Sequence, residues 1–191
     1  KHGLNEAEFI DHITRLQDLS ARIGKKHEAA VVEAAQRLGA VLASHDDTTE
    51  DQVAVSAAHG VHFAEFPTTR AAAEASLAHG IKVMMGGPNL IRGGSHSGNV
   101  AARELAETGL LDILSSDYVP SSLLTGAMML GDLWGNLARG IATVTSAPAS
   151  AVGFTDRGQL AVGMRGDVIR VCRAQELVVL RGTWVCGHRV A

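Results

Sequence analysis

The sequence has little of what marks secreted, membrane-spanning or nucleic-acid-binding proteins. Only two cysteines occur in 191 residues, Cys172 and Cys186, and they form neither a C-x-x-C pair nor a disulfide framework. We therefore expect two free thiols in a cytoplasmic protein. No apolar run approaches the roughly 20 residues that a membrane span needs. The start of the chain carries no charged-then-apolar leader.

An excess of charge of one sign is also lacking. The 17 Lys and Arg residues nearly balance the 20 Asp and Glu residues, which leaves a net charge of -3. This balance gives no reason to expect nucleic acid as the main partner, although it allows a local pocket for an anionic small molecule. The 46% hydrophobic and 19% charged fractions are those of an ordinary globular protein with a core of its own.

Four short apolar segments predict the strands of a parallel sheet, at residues 40–44, 61–65, 81–85 and 111–115. The Ala-rich stretches 48–59 and 69–79 have threonine near the start and glycine just past the end, which are helix cap signals. Ala-His-Gly-Val at 58–61 recurs as Ala-His-Gly-Ile at 78–81. Strands that alternate with helices in this way predict right-handed βα units and an α/β fold.

The flanking regions predict further elements. Helical spacing of apolar residues predicts helices at 5–22, 26–38, 121–136 and 137–146, with Pro148 ending the last of them. After Gly153, short strands separated by glycine turns are predicted at 158–163, 167–171, 177–180 and 183–185. The predicted domains are an α/β unit at 1–152 and a small β unit at 153–191.

Ionisable side chains follow the predicted strands at the ends where parallel βα folds place their functional residues. They are His45, Glu65, His96 and Asp117. Imidazole nitrogens and carboxylate oxygens suit Zn²⁺, Mn²⁺ or a similar ion, so these four residues are the predicted metal ligands.

Structural alternatives exist for three of these residues. The cluster at 45–47 is also typical of a helix N-cap. Glu65 could instead form an ion pair with Lys82 on the next strand. Asp117 could instead be the N-cap of the helix that follows it. His79, at a predicted helix C-terminus, is expected to be structural.

The loop at 92–99 predicts an anion site. Its three glycines expose backbone N–H groups, its serines and asparagine add hydrogen bonds, and it is expected to lead directly into a helix. Glycine-rich loops without this use are also common, and no Gly-Lys-Ser/Thr follows to make it a Walker loop. The predicted phosphate- or substrate-binding residues are Arg92, Gly93, Gly94, Ser95, Ser97, Asn99 and Thr68.

At these motifs the sequence resembles a known family, the α-D-ribose 1-methylphosphonate 5-triphosphate diphosphatases of the carbon–phosphorus lyase pathway, within the amidohydrolase superfamily. Four stretches carry the resemblance, at residues 44–48, 64–69, 87–99 and 111–118. The strings Arg-Gly-Gly-Ser-His-Ser-Gly-Asn and Ser-Ser-Asp-Tyr are its most specific parts, and the match continues in order to the end of the chain.

The resemblance implies the C-terminal half of a metal-dependent (β/α)₈ TIM barrel, strands five to eight, plus the C-terminal strands of a small β-sandwich. It implies a divalent metal ion, Zn or Mn, bound by His45 from strand five and Asp117 from strand eight. The superfamily's usual second histidine, after strand six, is replaced by Glu65, so His96 is the alternative ligand.

The resemblance implies hydrolysis of the ribosyl 5-triphosphate to the 5-phosphate and diphosphate. Asp117 and His45 would be catalytic, with Asp117 accepting a proton from a metal-activated water. Arg92 and the loop N–H groups would hold the phosphates. A related amidohydrolase acting on a C–N bond is the alternative, and a non-catalytic α/β scaffold is a third reading.

Four strands cannot close an eight-stranded barrel, and no His-x-His or His-x-Asp lies on an early strand. We therefore expect a chain about twice as long, and we expect this part to be inactive and poorly soluble without the N-terminal half. The expected partner is a small phosphorylated substrate, with no nucleic acid and no membrane; a homo-oligomer is left open.

Overall fold

A computed structural model describes residue 3 and residues 5–95, 97–174 and 177–191. The chain divides into two units, Lys1–Leu42 and Ala43–Ala191. Its class is mixed α/β, as predicted, with one parallel sheet and one separate antiparallel sheet, both within the second unit. In the described part of the chain, no helix has the length and apolarity that crossing a membrane requires.

The first unit is helical. Helix α1 (Glu6–Leu19) continues through a π-helical segment (Ser20–Gly24) into α2 (Lys25–Leu38), so the two predicted helices are confirmed but are not separated by a break. A capping box starts α1, because Asn5 Oδ1 accepts a hydrogen bond from the Glu8 N–H while the Glu8 carboxylate accepts one from the Asn5 N–H.

The four predicted parallel strands are confirmed, and they run in the order β1-β2-β3-β4. They are β1 (Ala43–His45), β2 (Phe63–Glu65), β3 (Lys82–Gly86) and β4 (Ile113–Ser115). Each begins later than predicted. At the two repeated motifs the cause is the helix end, where the N–H groups of Val61 and Ile81 donate to the carbonyls of Ser56 and Ser76. These groups close a left-handed glycine turn and are not available to the sheet.

Seven helices connect and cover the parallel sheet in the described part of the second unit. They are α3 (Glu50–Ala58), α4 (Arg70–Ala78), α5 (Gly87–Arg92), α6 (Ala102–Glu107), α7 (Ser122–Leu133), α8 (Leu137–Ala142) and α9 (Ser146–Ala151). Thr49 and Thr69 cap α3 and α4, as their positions predicted. The main core lies between β3, β4 and the helices α6 and α7, with Val83, Leu105, Leu114 and Leu130 fully or almost fully buried.

Two predictions about helix ends are wrong. Pro148 does not end a helix; it lies in the first turn of α9, where its missing N–H costs no intrahelical hydrogen bond. The loop at 92–99 does not lead directly into a helix either. Helix α6 begins at Ala102, and its first N–H donates to Asn89 Oδ1 at 2.9 Å, so a side chain from α5 satisfies that helix end.

The antiparallel sheet contains β5 (Val168–Ala174), β6 (Leu177–Val185) and β7 (His188–Arg189), in that order. The segments predicted at 177–180 and 183–185 are one strand, β6, with an irregularity opposite Arg170 and Val171. The strand predicted at 158–163 is wrong, because Gly158 and Gly163 both have left-handed backbones and the segment is built of turns.

A bidentate ion pair joins this sheet to α7. The Arg173 guanidinium donates to both Asp132 carboxylate oxygens, at 2.7 and 2.6 Å. Its hydrogen bonds, more than its charge alone, hold the pKa of the Asp132 carboxyl below its ordinary value. A depressed folded-state pKa contributes stability above about pH 4, and this contribution is lost as the pH falls through the folded-state pKa.

We therefore expect Asp132→Asn to lower the melting temperature slightly at pH 7, and the difference from the unmodified protein to shrink as the pH falls below about 4. Arg173→Gln should show the same pH dependence, and the double variant should lose no more than either single one. A melting-temperature difference that is as large below about pH 4 as at pH 7 would contradict this assignment.

Candidate functional site

The strand ends of the parallel sheet meet at one edge. The register places His45 opposite Glu65, and Gly86 opposite Ser115. Asp117 follows the end of β4 by two residues. Neighbouring strands are about 4.8 Å apart, so the three spacings from β1 to β4 amount to about 14 Å. His45 and Asp117 therefore lie on the side of the sheet where the strands end, but His45 belongs to one outermost strand and Asp117 follows the other.

A cavity of about 210 Å³ opens at this edge. Five of the predicted site residues line it, namely Arg92, Ser95, Ser97, Asn99 and Asp117. Asp46, Phe66, Asn89 and Tyr118 also line it and were not predicted. The described wall of the cavity does not include His45, Glu65, Thr68, Gly93 or Gly94. His96 lies outside the described residues.

Backbone strain is concentrated at this cavity. Of the four described non-glycine residues with positive φ, three line it: Asp46 (φ 61°), Phe66 (φ 57°) and Asp117 (φ 48°). A left-handed backbone is costly for a residue with a side chain, and such residues persist where the surrounding structure imposes them, often at functional sites. Residue type does not signal this conformation for phenylalanine, which is why the sequence did not indicate Phe66.

His45 is held by two neighbours that leave it half accessible. Its Nδ1 lies 3.0 Å from Asp46 Oδ2, and its ring meets the Phe66 ring edge-on, with centroids 5.3 Å apart. The N-cap alternative for the cluster at 45–47 is wrong, because α3 is capped by Thr49 and the Asp47 carboxylate instead accepts a hydrogen bond from the buried Ser56 hydroxyl.

Asp117 is exposed at the cavity rim and lies over Gly86. A Cβ added to Gly86 would be only 3.2 Å from Asp117 Oδ2, so the glycine makes room for this carboxylate. The N-cap alternative for Asp117 is wrong as well, since α7 begins at Ser122 after Ser121, without a side-chain cap.

Glu65 is half-buried at the end of β2. Its proposed ion pair with Lys82 is wrong, because Lys82 opens β3 at the other edge of the sheet and its Nζ contacts Asp112 Oδ1 at 3.0 Å.

The loop at 92–99 starts at the end of α5. Gly93 ends that helix with a left-handed backbone. The Arg92 guanidinium donates to the Gly94 carbonyl at 3.0 Å and lies 3.4 Å from the Tyr118 hydroxyl. Within the loop, the Ser97 N–H donates to Ser95 Oγ at 3.1 Å. Arg92 is thus oriented by two neighbours at the rim of the cavity.

Thr68 holds loops together. Its hydroxyl donates to Thr48 Oγ1 at 2.8 Å, its N–H donates to the Asp47 carbonyl, and its own carbonyl accepts from the Val100 N–H. These contacts join the loops that follow β1, β2 and α5.

The outermost strands carry buried hydroxyls without partners. Ser44 Oγ on β1 and Ser115 Oγ on β4 are both buried, and neither has a hydrogen-bond partner in the described structure. Buried polar groups are normally hydrogen-bonded, so each such hydroxyl calls for an explanation. Both lie on strands that have a sheet neighbour on one side only.

Ionisable side chains at the carboxyl ends of the strands of a parallel sheet are typical of barrel and open-sheet α/β enzymes. The model of the amidohydrolase family matches residues 12–190, so the chain belongs to that family. It is 43% identical to the α-D-ribose 1-methylphosphonate 5-triphosphate diphosphatase of Escherichia coli strain K12, an alignment that covers 100% of this chain and 51% of the relative. The chain thus spans about half the length of that relative.

Two crystal structures share the fold. One is an uncharacterised protein, with a TM-score of 0.64 and 20% identity over 84% of this chain and 48% of that chain. The other is a prolidase complexed with N-methylphosphonate-L-proline, with a TM-score of 0.62 and 20% identity over 84% of this chain and 47% of that chain.

Members of the amidohydrolase family generally depend on a metal ion. His45 and Asp117 suit such an ion in donor type. In the ranges 5–95, 97–174 and 177–191, however, no three His, Cys, Asp or Glu side chains are grouped so that they could hold one. The described residues therefore do not form a complete metal centre by themselves.

Proposed function

We propose that this chain is part of a hydrolase that cleaves a ribosyl 5-triphosphate, α-D-ribose 1-methylphosphonate 5-triphosphate, to the 5-phosphate and diphosphate. The observation that carries the proposal is the cavity at the carboxyl edge, which Arg92 lines together with Asp117. A cation and several hydroxyl groups beside a carboxylate suit a substrate of phosphate groups next to a reacting water. The relative that is named for this reaction is 43% identical to the chain.

In this reaction a water oxygen forms a bond to phosphorus, the bridging P–O bond between the first two phosphates breaks, and diphosphate leaves. Asp117 lines the cavity and is the proposed acceptor of the proton from that water. The guanidinium of Arg92 and the hydroxyls of Ser95 and Ser97 would offset the charge on the departing diphosphate. Asn99 would add a further hydrogen bond. The N–H groups of Gly93 and Gly94, predicted to bind phosphate, instead donate to the carbonyls of Asn89 and Leu90 at the end of α5.

The architecture we propose is the C-terminal half of a (β/α)₈ barrel over residues 1–152, followed by part of a small β-sandwich at 153–191. The sheet order supports it, since β1 and β4 have one neighbour each and would pair with strands supplied by the rest of the barrel. The unpartnered hydroxyls of Ser44 and Ser115 lie on these same two strands.

The metal we propose is Zn²⁺ or Mn²⁺, with His45 and Asp117 as two of its ligands. When bound, such an ion would lower the pKa of a water molecule. Glu65 ends the strand next to His45 and is a candidate third ligand, with His96 as the alternative. The remaining donors would come from the other half of the barrel.

The test uses the complete protein and the ribosyl triphosphate, with phosphorus NMR to distinguish release of diphosphate from release of orthophosphate. Arg92→Gln should raise KM roughly 10- to 100-fold, because one charge-assisted contact to phosphate is lost. The KM of Arg92→Lys should lie between those of the unmodified protein and Arg92→Gln, since a lysine keeps the charge but not the bidentate geometry of the guanidinium.

Arg103→Gln is the matched control, because Arg103 pairs with Glu107 along α6 and does not line the cavity. Its KM should stay within about twofold of the original, as expected for an exposed helix pair. Hydrolysis of a cyclic amide or N-acyl compound with no release of diphosphate would instead favour the C–N hydrolase reading. Absence of any turnover would favour the scaffold reading.

A further inference from the structure

Phe66 contacts His45 on one side and borders Gly86 on the other. On one side its ring meets the His45 imidazole at a centroid distance of 5.3 Å and an interplanar angle of 78°. On the other side it borders Gly86, since a Cβ added there would be 3.6 Å from Phe66 Cε1 and 3.2 Å from Asp117 Oδ2. The ring that contacts His45 is therefore also near Gly86, the glycine over which the Asp117 carboxylate lies.

The backbone of Phe66 is fixed on both sides. Its N–H donates to the Met84 carbonyl at 2.9 Å, which continues the sheet ladder for one residue beyond β2. Pro67, the next residue, is fully buried and locks the chain that follows. Between these two anchors, Phe66 has a φ of 57°. Glycine or asparagine would adopt this conformation at a lower cost in free energy. The presence of phenylalanine here therefore indicates that its side chain has a role.

Packing in the core does not account for this ring. Phe66 is half-buried and is not a member of either apolar core cluster formed by the described residues. It lines the 210 Å³ cavity and contacts His45, a residue of the proposed site.

We propose that Phe66 is a positioning residue, whose strained backbone directs its ring against His45 so that the imidazole keeps the orientation that the reaction needs. Edge-to-face packing fixes the plane of the imidazole. This inference rests on the proposed function insofar as it assigns a role to His45.

The kinetic test compares Phe66→Leu and Phe66→Met, which keep apolar bulk but lose the ring, with Phe66→Tyr, which keeps it. In the complete protein, we expect the first two to lower kcat about tenfold or more with KM within about twofold, since small misplacements of reacting groups are costly. Phe66→Tyr should keep kcat near the original value. Unchanged kcat in the ring-less variants overturns the proposal, as does an effect on KM alone, which would make Phe66 a substrate contact.

A second measurement does not depend on turnover. In protein labelled with ¹³C at histidine, the His45 ring C–H resonance is assigned by its loss in His45→Gln. It should shift in Phe66→Leu and Phe66→Met but not in Phe66→Tyr, because the aromatic ring current is removed only in the first two. The His79 resonance, at the end of α4, should stay unchanged in all three.

The two experiments separate the two proposals. If the unmodified protein releases no diphosphate, the proposed function fails and the histidine spectrum alone decides the role of Phe66. A His45 resonance that is the same with and without the ring then overturns the positioning role. A ring-less variant with a strongly lowered melting temperature also counts against it, because that result would make Phe66 a core residue.

Discussion

Replacement of Asp117 by asparagine in the complete protein is expected to lower kcat for diphosphate release by about 100- to 10,000-fold, the range typical of losing a general base. The amide keeps the size of the carboxylate and its place over Gly86, so the change removes charge and basicity rather than packing. Because Asp117 is exposed at the cavity rim, the substitution should leave the melting temperature almost unchanged.

His45→Ala should lower activity to a similar extent for a related reason. If both side chains bind one ion, each substitution alone should reduce the metal content measured by elemental analysis. The double variant should then be scarcely worse than either single one, since residues that act as a unit are not additive.

His79→Gln provides the matched control for the histidine change. His79 follows α4 and donates its N–H to the end of that helix, and it does not line the cavity. Activity and metal content should therefore match those of the unmodified protein. If His45→Ala and Asp117→Asn both behave like His79→Gln, the hydrolase proposal for this edge is wrong.

Gly140→Ala is expected to destabilise the protein by about 3 kcal/mol or more, because it overpacks a contact between two helix backbones. Helix α8 crosses α7 at this glycine. An added Cβ would overlap the Ala127 carbonyl oxygen and would lie 2.5 Å from the Gly131 nitrogen and 2.8 Å from its Cα. Backbone atoms cannot turn away as side chains do, so the two helices would have to separate.

Gly24→Ala is the control for the general effect of glycine in a helix. Its added Cβ would lie 3.4 Å from Ser20 Oγ, an ordinary van der Waals contact. This change should raise the free energy of unfolding by about 0.5–1 kcal/mol. Denaturant titration of both variants measures the difference, and a Gly140→Ala protein as stable as the unmodified one would contradict the close packing of α7 against α8.

Much of the fold was predictable because its signals are local. The strands that end at His45 and Glu65 are short apolar runs between helix caps, and the glycine turns at Gly60 and Gly80 mark where each helix ends. Such signals act over a few residues, so pattern and composition reveal them. The predictions failed where contacts between residues far apart in the sequence determine the local structure. Asn89, for example, satisfies the start of α6 from 13 residues away.

For the site, the sequence alone determined which polar side chains end up at the carboxyl edge, because parallel strands that alternate with helices all end on the same side. Only the tertiary structure decided which of them share a cavity, that Thr68 holds loops together, and that Phe66 packs against His45. The physical reason is that the cavity and its contacts involve residues that follow different strands. They also depend on a left-handed backbone at Phe66, a conformation that a phenylalanine in the sequence does not predict.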